Sequence, residues 1–164
     1  MSALNMPHQY VEELAAPMIS LILLIAGWIL FAIPVSYMSG WHHLAKVYRA
    51  SQPQSGERFR PWAASMRWNV NYNGMLSVAA GPQGLYLSMI FLFRPGHPPL
   101  FIPWADISAT VERRWWFTLA KLRFKGYDST FLLIPLKLAQ KLSTASGFQF
   151  QVEQGVVRRR KPTE

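Results

Sequence analysis

Cysteine is absent from all 164 residues. That excludes disulfides, thiolate metal sites and a cysteine nucleophile. Acids are scarce: eight Asp and Glu stand against 17 Lys and Arg, for a formal net charge of +9. Six of the acids follow residue 40: Glu57, Asp106, Glu112, Asp128, Glu153 and Glu164. None of them falls in a catalytic motif. Hydrolytic or glycosidic chemistry requires paired carboxylates, a Ser–His–acid set or a metal cluster. The chain also lacks GxSxG, a P-loop and GxGxxG after a strand. The expectation is a non-enzymatic protein with no cofactor and no small-molecule substrate. Asp106, in the segment WADIS, reads as ordering a turn or strand start.

Charge is also missing from Pro17 to Met38, PMISLILLIAGWILFAIPVSYM, a run of 22 residues. As a helix it would extend about 33 Å, enough for a hydrocarbon core of about 30 Å. It reads as a single transmembrane helix. A cleaved signal peptide fits poorly, because the preceding residues are acidic (Glu12, Glu13), the apolar run is long and no small-x-small site follows. Pro17 suits a first helical turn, and Pro34 lies near the far end. Trp28 falls mid-span, where two readings stay open: lipid-facing bulk, or a contact with another membrane helix.

All 17 Lys and Arg lie after residue 40, beginning with Lys46, Arg49, Arg58 and Arg60. The positive-inside rule therefore predicts an N-terminus outside and a cytoplasmic C-terminal part. The expected divisions are a lead-in over 1–16, the span over 17–38, a juxtamembrane helix over 39–50, a linker over 51–62, a β domain over 63–147 and a basic tail over 148–164. In the juxtamembrane segment Trp41, Leu44, Ala45 and Tyr48 recur at helical spacing. They predict an amphipathic helix on the membrane surface, with Trp41 and Tyr48 at headgroup depth. The alternative is that this apolar face packs on the domain. His42 and His43 are adjacent, point about 100° apart on a helix, and are ill placed to share one metal. His97, in a Pro-rich loop, is expected to hydrogen-bond locally.

After residue 62 the period changes from 3.6 to 2. About seven antiparallel strands are predicted, separated by turn signals such as Asn73-Gly74 and Gly81-Pro82-Gln83-Gly84, with a capping helix after Pro135 that stops at Gly147. The order of strands, the segments VAAGPQGLYLS and IPWADISATV, and the closing helix PLKLAQKLS together resemble the pleckstrin-homology superfold. The likeness is greatest to bacterial PH-like and GRAM-like domains and covers about residues 63–147. It implies a mainly-β PH-like domain on a single-pass anchor, placed in a bacterial inner membrane with a periplasmic N-terminus. It also implies binding of phosphoinositide-type headgroups in some members, though this chain has no tight phosphate-site signature.

The basic and aromatic residues form the candidate contact set. Arg113, Arg114, Trp115 and Trp116 join two strands, and Lys121, Arg123 and Lys125 share one strand face. Cations with indoles suit anionic headgroups; a solvated cationic face over core tryptophans is the plainer alternative. No helix-turn-helix, RNP or zinc motif accompanies the charge, so nucleic acid is not an expected partner. The expected partners are membrane lipid and other membrane-protein subunits. The leading functional expectation is an accessory subunit or scaffold docking on a larger membrane complex at its cytoplasmic face. The alternative is a domain that reads anionic lipid headgroups.

Overall fold

The computed structural model describes residues 8–51, 56–61, 63–114 and 117–153. The first element, α1, runs His8–Ser39 over 32 residues, about 48 Å as an α-helix. It starts well before Pro17, so part of the expected lead-in is helical and Pro17 lies inside the helix rather than in its first turn. The segment Leu14–Ser39 is long and apolar enough to cross a membrane; an 18-residue window within it has a mean hydropathy of 2.6 and is 6% buried in the protein. A core helix of a globule would be mostly covered; this one is bare along most of its length.

The bare surface ends at the last two turns. Ala32, Ser36 and Ser39 are buried, a stripe at i, i+4 and i+7 along one helix face. Small residues on that stripe allow close approach. Gly40 follows with φ +82, the left-handed conformation that ends a helix. A Cβ there would stand 2.5 Å from Thr130 Oγ1, so Gly40 meets a conformational and a steric demand together. The chain turns at once into α2, Trp41–Tyr48.

The apolar face of α2 packs on the domain. Trp41 and Leu44 are fully buried and Tyr48 is 8% exposed. The membrane-surface reading of this helix is thereby corrected: burying three large side chains in the core outweighs any interfacial seat for them. The outer face carries His43, Lys46 and Val47. The chain then joins the first sheet, where Arg49 bridges Leu100.

Two sheets form the domain. In chain order the strands are β1 Glu57–Phe59, β2 Ser65–Met66, β3 Val70–Asn71, β4 Leu76–Ala80, β5 Gly84–Met89, β6 Leu100–Pro103, β7 Ile107–Arg114, β8 Phe117–Phe124, β9 Phe131–Pro135 and β10 Val152–Glu153. One sheet has the order β1-β4-β5-β6 and the other β10-β7-β8-β9-β2-β3. Registers place buried residues opposite one another: Leu76 with Met89, Val78 with Leu87, and Leu87 with Leu100. In the second sheet Ala109 meets Leu122, which meets Leu132. These residues alternate along each strand and fill the space between the sheets. The final helix, α3 Leu136–Ala145, buries Ala139 and Leu142 and lies along β8, β9 and β10. It closes at Gly147, whose φ is +66, with the Phe148 N–H donating to the Ser143 carbonyl at 2.9 Å.

Several expected elements are redrawn. The linker contains β1, which pairs antiparallel with β4. The first predicted strand is split into β2 and β3 by a 3-10 turn at Arg67–Asn69, where Asn69 has φ 58. Asn73-Gly74 makes a corner between sheets, not a hairpin, because β3 pairs with β2 while β4 pairs with β1 and β5. The Asn73 side chain is committed elsewhere, accepting the Ala64 N–H at 3.0 Å. Within the segment IPWADISATV the strand begins only at Ile107. Trp104–Asp106 is a 3-10 turn with Trp104 buried and its indole N–H donating to the Gly81 carbonyl at 2.8 Å.

The junction at Gly40 generates a prediction. Gly40→Val adds a forced positive φ and a clash with Thr130, which together are expected to cost about 2–4 kcal/mol. The full chain in detergent should melt several degrees lower by tryptophan fluorescence, and Thr130→Ala should recover part of the loss. An unchanged melting temperature for Gly40→Val would contradict this account of the junction.

Candidate functional site

The loop between β5 and β6 meets α1, which also packs against the Arg67–Asn69 turn and β3. It opens with a 3-10 turn, Phe91–Phe93, and doubles back through Gly96, whose φ is +74. A Cβ on Gly96 would stand 3.2 Å from the Ile33 Cα, so the two backbones lie nearly in contact. The Ser36 hydroxyl donates to the Gly96 carbonyl. Further up the helix the Trp28 indole N–H donates to the Leu92 carbonyl at 2.7 Å. The Trp28 ring meets Phe93 edge-on at 4.9 Å. Trp28 is half-buried and brackets the domain's own loop. Sequence alone pointed to the site only faintly, through a tryptophan at an unusual depth and the small pair Ala32 and Ser36.

Beneath the loop lies a buried polar cluster. The Tyr72 hydroxyl is 2.9 Å from His97 Nε2, and His97 Nδ1 is 3.1 Å from the Pro95 carbonyl. A carbonyl only accepts, so Nδ1 carries the proton and Nε2 accepts from Tyr72. Trp41 stands edge-on to both rings, at 5.4 Å from His97 and 6.0 Å from Tyr72, and its indole N–H donates to the Pro98 carbonyl at 2.8 Å. The expected local bonding of His97 is thus present. Burial pushes the His97 pKa down, partly offset by its bonds to the Pro95 and Phe93 backbone. Burial pushes Tyr72 up to about 12, with a small opposing contribution from the Ser39 hydroxyl. No buried side-chain polar atom among the described residues lacks a partner. The cluster reads as a neutral, satisfied joint, not as an acid–base pair awaiting substrate.

On the solvent side of the first sheet, next to the loop, a pocket of about 360 Å³ is lined by Arg58, Ser77, Tyr86, Ser88 and Arg94, with Ala50, Ser51, Ala79 and Pro99. Two guanidiniums with hydroxyls and no carboxylate among the lining residues make a cradle suited to an anion. None of these residues was singled out by sequence. Arg58 and Arg94 are 36 residues apart in the chain and meet only because β1 pairs with β4 and the loop folds back.

The sequence-predicted contact residues are dispersed. Trp41 and Tyr48 are buried, Tyr48 donating to Asp106 Oδ2 at 3.1 Å; the reason is the docking of α2 described above. The Asp106 side chain thereby ties the turn before β7 to α2. Lys121 is engaged within the sheet, 3.6 Å from Glu112 and 4.1 Å above the Phe131 ring. Arg123 is exposed on the same face, opposite Ser108. Lys125 follows the end of β8, its N–H bonded to the Asp106 carbonyl at 2.9 Å. Arg113 is in register with Thr118, which puts it on the opposite face of the sheet from Lys121 and Arg123. Arg114 lies in β7, in register with Phe117. Trp115 and Trp116 lie outside the described residues. His42 stacks on Tyr37 at 4.1 Å, and no cluster of three His, Cys, Asp or Glu that could hold a metal occurs among the described residues.

The joint generates a pH prediction. Unfolded His97 takes up a proton near pH 6.5 that the folded chain resists, so its contribution is full above 6.5 and is lost as pH falls below it. Unfolded Tyr72 releases its proton near pH 10 while the folded chain holds it to about 12, so that contribution is full below 10 and is lost between 10 and 12. Thermal stability should therefore fall on both sides of a plateau, and the decline between pH 6.5 and 5 should flatten in His97→Gln. Tyr72→Phe, which strips His97 Nε2 of its donor, should destabilise by about 1–3 kcal/mol at pH 8.

No family model matches this chain, and no curated protein matches it significantly.

Proposed function

We propose that this chain is a non-enzymatic, membrane-anchored interaction module, an accessory subunit that docks on a larger membrane-protein complex at the cytoplasmic face. The observation that carries the reading is α1. Its apolar window is 6% buried, with Leu23, Leu24 and Leu30 each about two-thirds or more exposed. Each such side chain left in water forgoes about 1.5–3 kcal/mol relative to burial. A bilayer, with or without neighbouring helices, supplies the missing cover. The Lys and Arg surplus after α1 favours a cytoplasmic domain and a periplasmic N-terminus in a bacterial inner membrane. The two facing sheets, closed by α3 after β9, support the PH-like reading of the domain.

A groove supports a protein partner. It lies between α3 and the β7–β10 edge, has a volume of about 390 Å³, and is lined by Val111, Leu136, Gln140, Phe148 and Val152 among others. Phe148 is 65% exposed at its rim. An apolar slot beside a helix is a recurrent seat for a partner segment. Extraction in mild detergent followed by native electrophoresis should show the 18.8 kDa chain migrating with larger partners, and Phe148→Asp should weaken that association. Migration as a lone species with its micelle would overturn the subunit reading.

The alternative, recognition of anionic headgroups, is favoured by one specific observation: the Arg58–Arg94 pocket. The binding residues of this reading are then Arg58 and Arg94 with Ser77, Tyr86 and Ser88, not the β7–β8 arginines and lysines. Native mass spectrometry from mixed phosphatidylglycerol and phosphatidylethanolamine should show preferential retention of the anionic lipid. Arg58→Ala/Arg94→Ala should abolish that preference while Lys121→Ala/Arg123→Ala leaves it. Equal retention of both lipids would remove this reading.

A further inference from the structure

We infer that Phe91–Phe93 is a second membrane-inserted element, a short apolar wedge that enters the acyl chains beside α1; the inference rests on reading α1 as a membrane span. Phe91 is 84% exposed and Leu92 57% exposed; after α1, only Val47 and Phe148 among the described large apolar side chains are comparably bare. Their position along α1 explains them. Trp28, which holds the Leu92 carbonyl, lies five residues before Ile33, about 7 Å along the helix axis. At that level the neighbouring helix surface is Leu30 and Phe31, 75% and 62% exposed. The wedge therefore extends the same apolar surface that α1 presents.

The backbone of the loop is independent support. Non-helical backbone tolerates a hydrocarbon surround only where its polar groups find internal partners. The Ile90 N–H donates to the Met75 carbonyl, and the Ile90, Phe91 and Arg94 carbonyls accept from the Phe93, Arg94 and His97 N–H groups. The Leu92 carbonyl takes the Trp28 indole, the Pro95 carbonyl takes His97 Nδ1–H, the Gly96 carbonyl takes the Ser36 hydroxyl and the Pro98 carbonyl takes the Trp41 indole. Of these bonds the one between the Trp28 indole and the Leu92 carbonyl lies on exposed surface, where water could have served a loop meant for solvent. Arg94 follows the wedge directly and is exposed, the residue type that meets lipid phosphate at the edge of the hydrocarbon. Two insertion points, helix and wedge, fix the rotation of the domain about the α1 axis, which one helix alone leaves free.

The absence of native cysteine makes the test direct. Phe91→Cys, Leu24→Cys and Ser108→Cys are each introduced into the full chain, spin-labelled and reconstituted in phosphatidylglycerol/phosphatidylethanolamine liposomes. Collisional accessibility to oxygen and to a water-soluble nickel chelate is then measured. The label at 91 should favour oxygen, as at 24, and reverse the preference shown at 108. Adding Trp28→Phe, which keeps bulk but removes the donor to Leu92, should shift the 91 label toward the aqueous reagent. If the 91 label behaves like that at 108, or is shielded from both reagents, while 24 reports hydrocarbon, the wedge is overturned and the span stands. If 24 itself reports water, the membrane reading of α1 fails first.

Discussion

A backbone carbonyl pressed against an apolar helix must have a donor, because the desolvated group otherwise costs several kcal/mol. The junction between α1 and the β domain is organised by that requirement. Trp28 and Ser36 reach out from the helix to the Leu92 and Gly96 carbonyls. Trp41 and His97 serve Pro98 and Pro95 from the domain side. Gly96 lets the loop backbone come within contact of Ile33, and Gly40 lets α2 leave α1 against Thr130. With these partners, and with the Arg67–Asn69 turn and β3 also against it, the long helix is continuous with the core.

That continuity changes what the domain can do. A flexible tether would present every face of the barrel to the membrane in turn. A fixed junction presents one. The Phe91–Arg94 loop and the Arg58–Arg94 pocket lie at the α1 end of the first sheet. The groove beside α3 belongs to the second sheet, with β7 and β10. On the proposed reading, membrane contact and partner contact fall to different parts of one small domain. The neutral Tyr72–His97 pair suits such a joint, since a buried charge would weaken it unless paired.

Much of the fold was legible because local pattern and global burial agree. Strands β4 to β6 carry an alternating apolar face, and their registers place Leu76, Val78, Leu85, Leu87, Leu100 and Ile102 together. The helix stop at Gly147 is likewise a local signal that the structure retains. The failures have a common cause. Asn73-Gly74 is a turn in either setting, but which strands it connects depends on long-range pairing. The amphipathic pattern of α2 is the same whether its apolar face meets lipid or protein, and only the packing of Trp41, Leu44 and Tyr48 on the core decides. The basic set was legible in part: alternation put Lys121 and Arg123 on one strand face, as the registers retain, whereas the face of Arg113, the opposite one, depends on its pairing with Thr118.

By itself the sequence determined a long apolar helix, a cationic part following it, a mainly-β domain with a helix at its end, and the absence of thiol chemistry. Each is a sum over residues or a local period, and neither needs knowledge of what lies across the fold. Tertiary structure decided that Trp28 is a bracket, that Arg58 and Arg94 share a pocket, and that Phe91 and Leu92 are left bare beside α1. Those are relations between residues dozens of positions apart, set by strand pairing and by which carbonyls remained to be satisfied once the two sheets had closed.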